Sequence, residues 1–144
     1  MDVKFWKDKS RKMIDPDLFS ARADELAKEI HKEQLQSRGK ANKPTQIRKF
    51  YDEVLRFDTI LKTNPAEFDS RLPYLKMLNA KAAYAMGRDL VSKEFKNFIS
   101  NSLNQIKDKD DFDAFASLFE AFMGYYKFYD EKGEPQITQG GGRR

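Results

Sequence analysis

The apolar positions of Asp110–Tyr129 recur at three- and four-residue spacing, which is the repeat of one face of an α-helix. Further apolar residues widen this face around most of the helix circumference and leave only a narrow polar strip. A helix of this kind must be surrounded by other helices, so the pattern predicts the most buried element of the fold. Asp108 or Asp110 suits the N-cap of this helix, and Gly133 follows its end. Its main apolar face consists of Phe112, Phe115, Ala116, Phe119, Phe122, Met123 and Tyr126.

A first helix is predicted from Asp15-Pro16, a cap residue followed by a first-turn proline, to about Gln36. Its apolar stripe is thin and the rest of its surface is polar, so it should lie on the outside of the domain. His31 falls on the polar side and is predicted to face solvent. Because the chain has no cysteine and no second histidine, His31 is not expected to bind a metal. The stripe consists of Phe19, Ala23, Leu26, Ala27 and Ile30.

The glycine-containing, basic segment Ser37–Lys43 is predicted to be a loop. Pro44 then opens a second helix, with Thr45 as its cap, which runs to about Thr63. One face of this helix is apolar and the other carries alternating bases and acids. The apolar face consists of Ile47, Phe50, Tyr51, Val54, Phe57 and Leu61.

The third segment begins at Asn64-Pro65, and Pro73 is expected to interrupt it because the proline ring clashes with the preceding turn. The sequence therefore predicts a short helix near residues 66–70 and a longer one over residues 73–86, which ends at Gly87. The longer helix should face the core with Leu75, Leu78, Ala82, Ala85 and Met86.

Ser92 is the predicted cap of a fourth helix, whose inward face consists of Phe95, Phe98, Ile99, Ser102, Leu103 and Ile106. No segment shows the alternation of a β-strand, so the fold class is all-α, a single-domain bundle of five to six helices. The predicted division is a basic N-terminal arm over residues 1–14, the helical bundle over residues 15–133 and a flexible tail over residues 134–144. The arm is either a frayed terminus pinned by Trp6 or a basic-aromatic contact with a polyanion.

Length and composition agree with one soluble helical domain. The chain has 144 residues, 35% of them charged and 13% aromatic, and a formal net charge of +4. No cysteine and no apolar run of transmembrane length is present, which fits a cytoplasmic protein without disulfides. The net charge permits nucleic-acid binding but is too small to indicate it, so the clustering of the bases decides.

Motifs for catalysis and for cofactors are absent. Cysteine chemistry is impossible, the single histidine lies on a polar helix face, and no glycine-rich phosphate loop or zinc motif occurs. The acids are spaced four residues from bases, as in Arg48–Asp52, Asp52–Arg56 and Lys49–Glu53, which is typical of ion pairs on a helix surface. We therefore expect no cofactor and no enzymatic activity. A hydrolase that uses aspartate or glutamate ranks last among the hypotheses.

The most informative surface pattern lies in the helix before Arg88. Met77, Lys81, Tyr84 and Arg88 align at spacings of four, three and four residues, opposite the apolar face. This arrangement suits an RNA strand. The two basic side chains can neutralise phosphates, and the ring between them can stack on a nucleobase. The alternative from spacing alone is a solvated face with a half-buried Tyr84. The first turn of the second helix adds Arg48 and Lys49, where free N–H groups favour an anion.

Three blocks in this order resemble a known family. They are TQIRKFYDEVL at residues 45–55, KAAYAMGR at residues 81–88 and FDAFASLFEAFMGYYKFY at residues 112–129. Together they resemble the small subunit of type III-A CRISPR interference complexes, the Csm effector, over roughly residues 44–129. The first two blocks are specific, whereas any buried helix can look like the third.

The resemblance implies a non-catalytic helical bundle that stacks in several copies along a guide RNA–target RNA duplex. Expected partners are the backbones of target RNA and guide RNA, other subunits of the complex and further copies of itself, but no membrane. The RNA-binding residues implied are Arg48, Lys49, Lys81, Arg88 and Lys127, to which the spacing argument adds Tyr84. Lys127 has two alternative roles, pairing with Glu120 or capping the helix end. A hypothesis of another class is a protein–protein adaptor whose basic face docks an acidic partner.

Overall fold

A computed structural model describes residues 1–132. Within this range the chain forms six α-helices, one two-stranded antiparallel hairpin and short 3₁₀ and π turns, which confirms the predicted all-α fold. The predicted cap glycine Gly133 and the predicted tail over residues 134–144 lie outside the described residues. The elements are β1 (Trp6–Asp8), β2 (Met13–Ile14), α1 (Ala23–Gln36), α2 (Pro44–Thr63), α3 (Phe68–Lys76), α4 (Leu78–Gly87), α5 (Lys93–Gln105) and α6 (Lys109–Lys132).

Helix α6 is the centre of the core, as the apolar pattern predicts. It packs along α1 and α2, and its phenylalanine rings interlock with those of α5. Phe119 lies at the middle of this cluster, with its ring 5.2 Å from that of Phe98 and 5.3 Å from that of Tyr51. The predicted inward face of α5 is buried throughout, and Ser92 caps that helix by accepting a hydrogen bond from the backbone N–H of Phe95.

The start of α6 is fixed by two aspartates that hydrogen-bond reciprocally. Asp108 Oδ1 accepts a hydrogen bond from the backbone N–H of Asp111 at 2.9 Å. Asp111 Oδ2 in turn accepts from the N–H groups of Lys107 at 2.8 Å and Asp108 at 3.1 Å. This is the geometry of a capping box, with aspartate in the place of glutamate. Of the two predicted caps, Asp108 is therefore the one used.

The first fourteen residues depart from the prediction. They contain the β1–β2 hairpin, so the prediction that no segment is a strand is wrong here. Strands of three and two residues are too short to show alternation. Val3 and Phe5 are buried in the core, so a frayed terminus is also wrong for this segment. The Trp6 indole donates to Asp111 Oδ1 at 2.8 Å, and thereby joins the hairpin to the start of α6. The division of the chain into arm, bundle and tail stays a prediction.

The segment before α1 changes which side chains face the core. Leu18–Arg22 forms a π turn, whose extra residue per turn rotates the side chains relative to an α-helix. Leu18 is consequently buried, whereas Phe19, predicted to face the core, is 40% exposed. The prediction that His31 faces solvent is also wrong. Its ring is buried between α1 and α6, where it stacks on Tyr129 with the centroids 6.2 Å apart.

The α2–α4 region agrees with the prediction in outline and differs at individual positions. Lys43, not Thr45, is the N-cap of α2. Pro73 lies inside α3 without breaking it, because the carbonyl that loses its donor belongs to exposed Asp69, where water can replace the bond. The break comes instead at Met77, between α3 and α4. Met86 is 37% exposed rather than buried, since Leu78, Ala82 and Ala85 already complete the narrow inward face of α4.

Candidate nucleic-acid interface

Helix α4 presents the predicted ridge to solvent. Met77, which precedes the helix, and Lys81, Tyr84 and Arg88 are all exposed, while the opposite side of α4 is buried against the core. Tyr84 is 66% exposed, so the alternative of a half-buried tyrosine does not hold. The ridge is therefore a solvent-facing row of two cations on either side of an aromatic ring.

Tyr84 and Arg88 form a composite unit on this ridge. The Arg88 guanidinium donates a hydrogen bond to the Tyr84 hydroxyl at 3.1 Å and lies 5.7 Å from the ring centroid. An aromatic ring beside a planar cation offers a stacking surface that accepts any base, because every base has a π face. The pair combines this surface with a charge for a phosphate.

A groove separates this ridge from α2, and we call it the α2–α4 groove. Its volume is about 560 Å³, and Lys49 of α2 faces Lys81 and Arg88 of α4 across it. The complete lining is Gln46, Lys49, Phe50, Asp52, Glu53, Leu78, Lys81, Tyr84, Ala85, Arg88 and Leu90.

A second groove lies on the other side of α2, against the C-terminal half of α6, and we call it the α2–α6 groove. Its volume is about 330 Å³. Arg48, Lys49 and Lys127 line it, and Lys49 and Asp52 also line the first groove. All six predicted contact residues thus lie on two grooves that share the exposed edge of α2. That these residues touch RNA stays a prediction. The complete lining is Pro44, Thr45, Arg48, Lys49, Asp52, Met123, Tyr126, Lys127 and Asp130.

Carboxylates of this chain already neutralise three of the five candidate bases. Arg48 pairs with Asp52 at 3.1 Å, Lys81 with Glu53 at 3.6 Å, and Lys127 with Glu131 at 3.2 Å. The pairing of Lys127 with Glu120, considered from the sequence, is therefore not the one formed. Within residues 1–132, no carboxylate lies within ion-pair distance of the other two bases, Lys49 and Arg88.

The sequence predicts three i,i+4 pairs between bases and acids of α2, and only one of the three forms. Arg48–Asp52 is present, but Glu53 pairs with Arg56 at 2.8 Å and with Lys81 on α4 instead of with Lys49. The hydrogen bond from Arg56 is the largest cause that lowers the pKa of Glu53, and the charge of Lys81 adds to it. Nothing in a linear sequence signals the pair with Lys81, because its partners lie on different helices.

Asn42 holds the two grooves in place. Its backbone N–H donates to the carbonyl of Leu90 at 2.9 Å, and its side chain bonds the Ile30 carbonyl and Ser92. Its own carbonyl accepts from the Tyr126 hydroxyl at 2.6 Å. Asn42, two residues before α2, is thereby tied to α1, to the segment between α4 and α5 and to the C-terminal half of α6. Asn42 has φ +61°, a left-handed conformation that asparagine tolerates better than most residues.

Residues 1–132 contain no group of three or more histidine, cysteine or acidic side chains arranged to hold a metal ion. Within the same range, none of the helices has the length and apolarity required to cross a lipid bilayer.

A family model and a curated protein both match this chain, and their descriptions agree. The family model described as Csm2 Type III-A matches residues 14–132. A curated protein described as "CRISPR system Cms protein Csm2", from Streptococcus thermophilus, is 29% identical over 73 residues. These residues are 49% of this chain and 60% of that protein, so the similarity spans about three fifths of the relative's length. No solved structure matches the chain.

Proposed function

Because the chain belongs to the Csm2 Type III-A family, we propose that it is a non-catalytic, RNA-binding small subunit of a type III-A CRISPR interference complex. It stacks in several copies along the duplex of guide RNA and target RNA and contacts the RNA backbones without sequence preference. The observation that supports this most strongly is the convergence of all six predicted contact residues on the two grooves beside α2.

The chemistry of these grooves suits a backbone contact better than base readout. Lysine and arginine side chains that project into solvent neutralise phosphates, and such contacts position a strand without reading its sequence. The Tyr84–Arg88 pair adds a stacking surface that tolerates every base. A subunit that must sit on any target needs this combination.

Lys49 is the central contact in this proposal because it lines both grooves. A strand that follows the α2–α4 groove passes Lys81 and Arg88, crosses the edge of α2 at Lys49 and reaches Arg48 and Lys127. The buried faces of α2, α4 and α6 hold the helices that form this path, and the hydrogen bonds of Asn42 tie the segment before α2 to the segment after α4 and to Tyr126 of α6.

Weak contacts of one copy are multiplied when several copies bind one strand. A net charge of only +4 per chain is sufficient under this arrangement. The partners in this proposal are target RNA, guide RNA, the other subunits of the complex and further copies of the chain.

The test is binding of the purified protein to a single-stranded RNA of arbitrary sequence, titrated against salt. Wild type is compared with Lys81→Glu/Arg88→Glu, which removes the ridge charges. The matched control is Lys28→Glu/Lys32→Glu on α1, because both residues are exposed and neither lines a groove. Each double reversal changes the formal charge equally, so a difference between them reports position and not total charge.

Wild type is expected to bind with an affinity that falls with salt and hardly changes with base composition. The groove variant should lose affinity by an order of magnitude or more and reduce the slope of the salt dependence by about 1.4, or about 0.7 for each lost phosphate contact on a single strand. The α1 variant should lose much less. Equal loss of affinity in the two variants, or no binding of the RNA by wild type, contradicts the proposal and favours the adaptor hypothesis.

A further inference from the structure

Two of the acids on α2 lie in the grooves rather than beside them. Asp52 lines both grooves, and Glu53 lines the α2–α4 groove. We call Asp52 and Glu53 the acidic pair. They bind two of the bases that the proposed function assigns to phosphates: Arg48 at 3.1 Å from Asp52 and Lys81 at 3.6 Å from Glu53.

We propose that the acidic pair competes with RNA phosphates for Arg48 and Lys81 and so lowers the affinity of a single subunit for RNA. This inference rests on the proposed function and adds an internal competitor to the same site. Its consequence is that a single copy binds weakly, whereas several copies on one strand bind tightly.

The competition follows from geometry and charge. A phosphate that approaches Arg48 or Lys81 must displace a carboxylate that is already within ion-pair distance. The displaced carboxylate stays in the groove, because it is attached to α2, and like charges at such short separation repel even in water. The bound state therefore keeps a repulsive cost. A phosphate on Lys49 or Arg88 displaces no carboxylate, because none of the described residues places one within ion-pair distance of these two bases.

Glu53 is well suited to this role because it is anchored from two sides. Arg56 on α2 bonds it at 2.8 Å, and Lys81 reaches it from α4. These cations hold its pKa below the ordinary value, so it is ionised at neutral pH. Release of Lys81 to a phosphate leaves Glu53 paired with Arg56 and still negatively charged.

The experiment compares Asp52→Asn/Glu53→Gln with wild type, using a single-stranded RNA of about 12 nucleotides, within the range that one small domain covers. The matched control is Asp58→Asn/Glu67→Gln. Asp58 pairs with Lys62 at 3.0 Å on the same helix and Glu67 pairs with Arg71 at 3.0 Å, and neither acid lines a groove. Each variant removes two negative charges, so the two variants have the same formal net charge.

Removal of the acidic pair is expected to tighten binding of the short RNA about five- to tenfold, and the slope of the salt dependence should grow by up to about 1.4, for two freed bases. The affinity of the control variant for the short RNA should stay within about twofold of that of wild type, because its two acids line neither groove and salt screens their charges. A second arm replaces Arg48 and Lys81 with alanine. This change should cost more affinity when the acidic pair is absent than when it is present.

The outcomes separate the inference from the proposed function. Equal tightening in both acid variants would mean that total charge alone acts, and it overturns the inference. In a second outcome, wild type binds RNA, Lys81→Glu/Arg88→Glu does not, and Asp52→Asn/Glu53→Gln binds no more tightly than wild type. This outcome overturns the inference and leaves the proposed function intact. If neither wild type nor the acid variant binds RNA, both fail, because freed bases should then have created a site.

Discussion

The strongest test of the fold is the replacement of Asp111 by alanine. Its side chain is buried and accepts four hydrogen bonds at the start of α6. Two come from the backbone N–H groups of Lys107 and Asp108, one from the Trp6 indole and one from the Lys9 ammonium at 2.9 Å. The single carboxylate thus caps the central helix and attaches the N-terminal hairpin to it.

The size of the effect follows from the donors that alanine leaves behind. The Lys9 ammonium is exposed and keeps its ion pair with Asp108 at 3.0 Å, so the loss of its hydrogen bond to Asp111 costs little. The other three donors are partly buried N–H groups, and a lost hydrogen bond of this kind costs about 1 kcal/mol each. We therefore expect Asp111→Ala to lower the free energy of unfolding by about 3 kcal/mol. In a domain of this length this corresponds to a fall in Tm of roughly 10 °C.

The assay is urea unfolding followed by circular dichroism, with Asp110→Ala as the matched control. Asp110 is the neighbouring residue in the same first turn, but it is exposed and reaches only Lys12, at 3.7 Å. Both variants remove one acid from the positive end of the helix, so their difference isolates the hydrogen bonds of Asp111. The control should lose about 0.5 kcal/mol or less. Backbone amides near Trp6 should also exchange hydrogen faster in Asp111→Ala only.

The pH dependence supplies an independent check. Burial raises the pKa of Asp111, but hydrogen bonds from Lys9, Lys107, Trp6 and Asp108 outweigh it, so the pKa lies below its ordinary value. The stabilisation is complete above the unfolded-state pKa of about 3.9 and is lost as pH falls through the lower folded-state pKa. The stability gap between wild type and Asp111→Ala should therefore narrow below about pH 4. A gap under 1 kcal/mol between the two alanine variants at pH 7 would refute the reasoning.

Three further pairs of substitutions test the packing. Leu18→Ala should cost about 3 kcal/mol in urea unfolding and Phe19→Ala less than about 1, because only the first is buried; the reverse order would show that the π turn is wrong. Phe119→Ala should cost about 3–5 kcal/mol and lower Tm at least as much as Asp111→Ala does, whereas Phe119→Leu, which removes less volume, should cost less. Asn42→Ala should cost about 3 kcal/mol and Tyr126→Phe about 1–2, and a double-mutant cycle should show little coupling, because Tyr126 donates to the backbone carbonyl of residue 42, which alanine keeps.

The positions of the candidate interface could be predicted in part from the sequence. Spacing placed Lys81, Tyr84 and Arg88 on one exposed face, because a helix fixes which residues lie three and four apart. Position in the first turn of α2 added Arg48 and Lys49, and the resemblance added Lys127. Spacing within one helix contains no information about neighbouring helices, so neither the two grooves nor the pair between Glu53 and Lys81 could be predicted.

Within residues 1–132, local sequence pattern is sufficient to predict the helical class, the central position of α6, the inward face of α5 and the cap at Ser92, while it leaves Asp108 and Asp110 as alternative caps of α6. These features depend on residues a few positions apart, and local periodicity and capping express them directly. The tertiary structure decided the burial of His31, the exposure of Phe19 and the role of Asp111. Each of these depends on a partner supplied by a distant segment or on one extra residue in a turn. Local pattern specifies the faces of a helix, and only packing specifies what those faces meet.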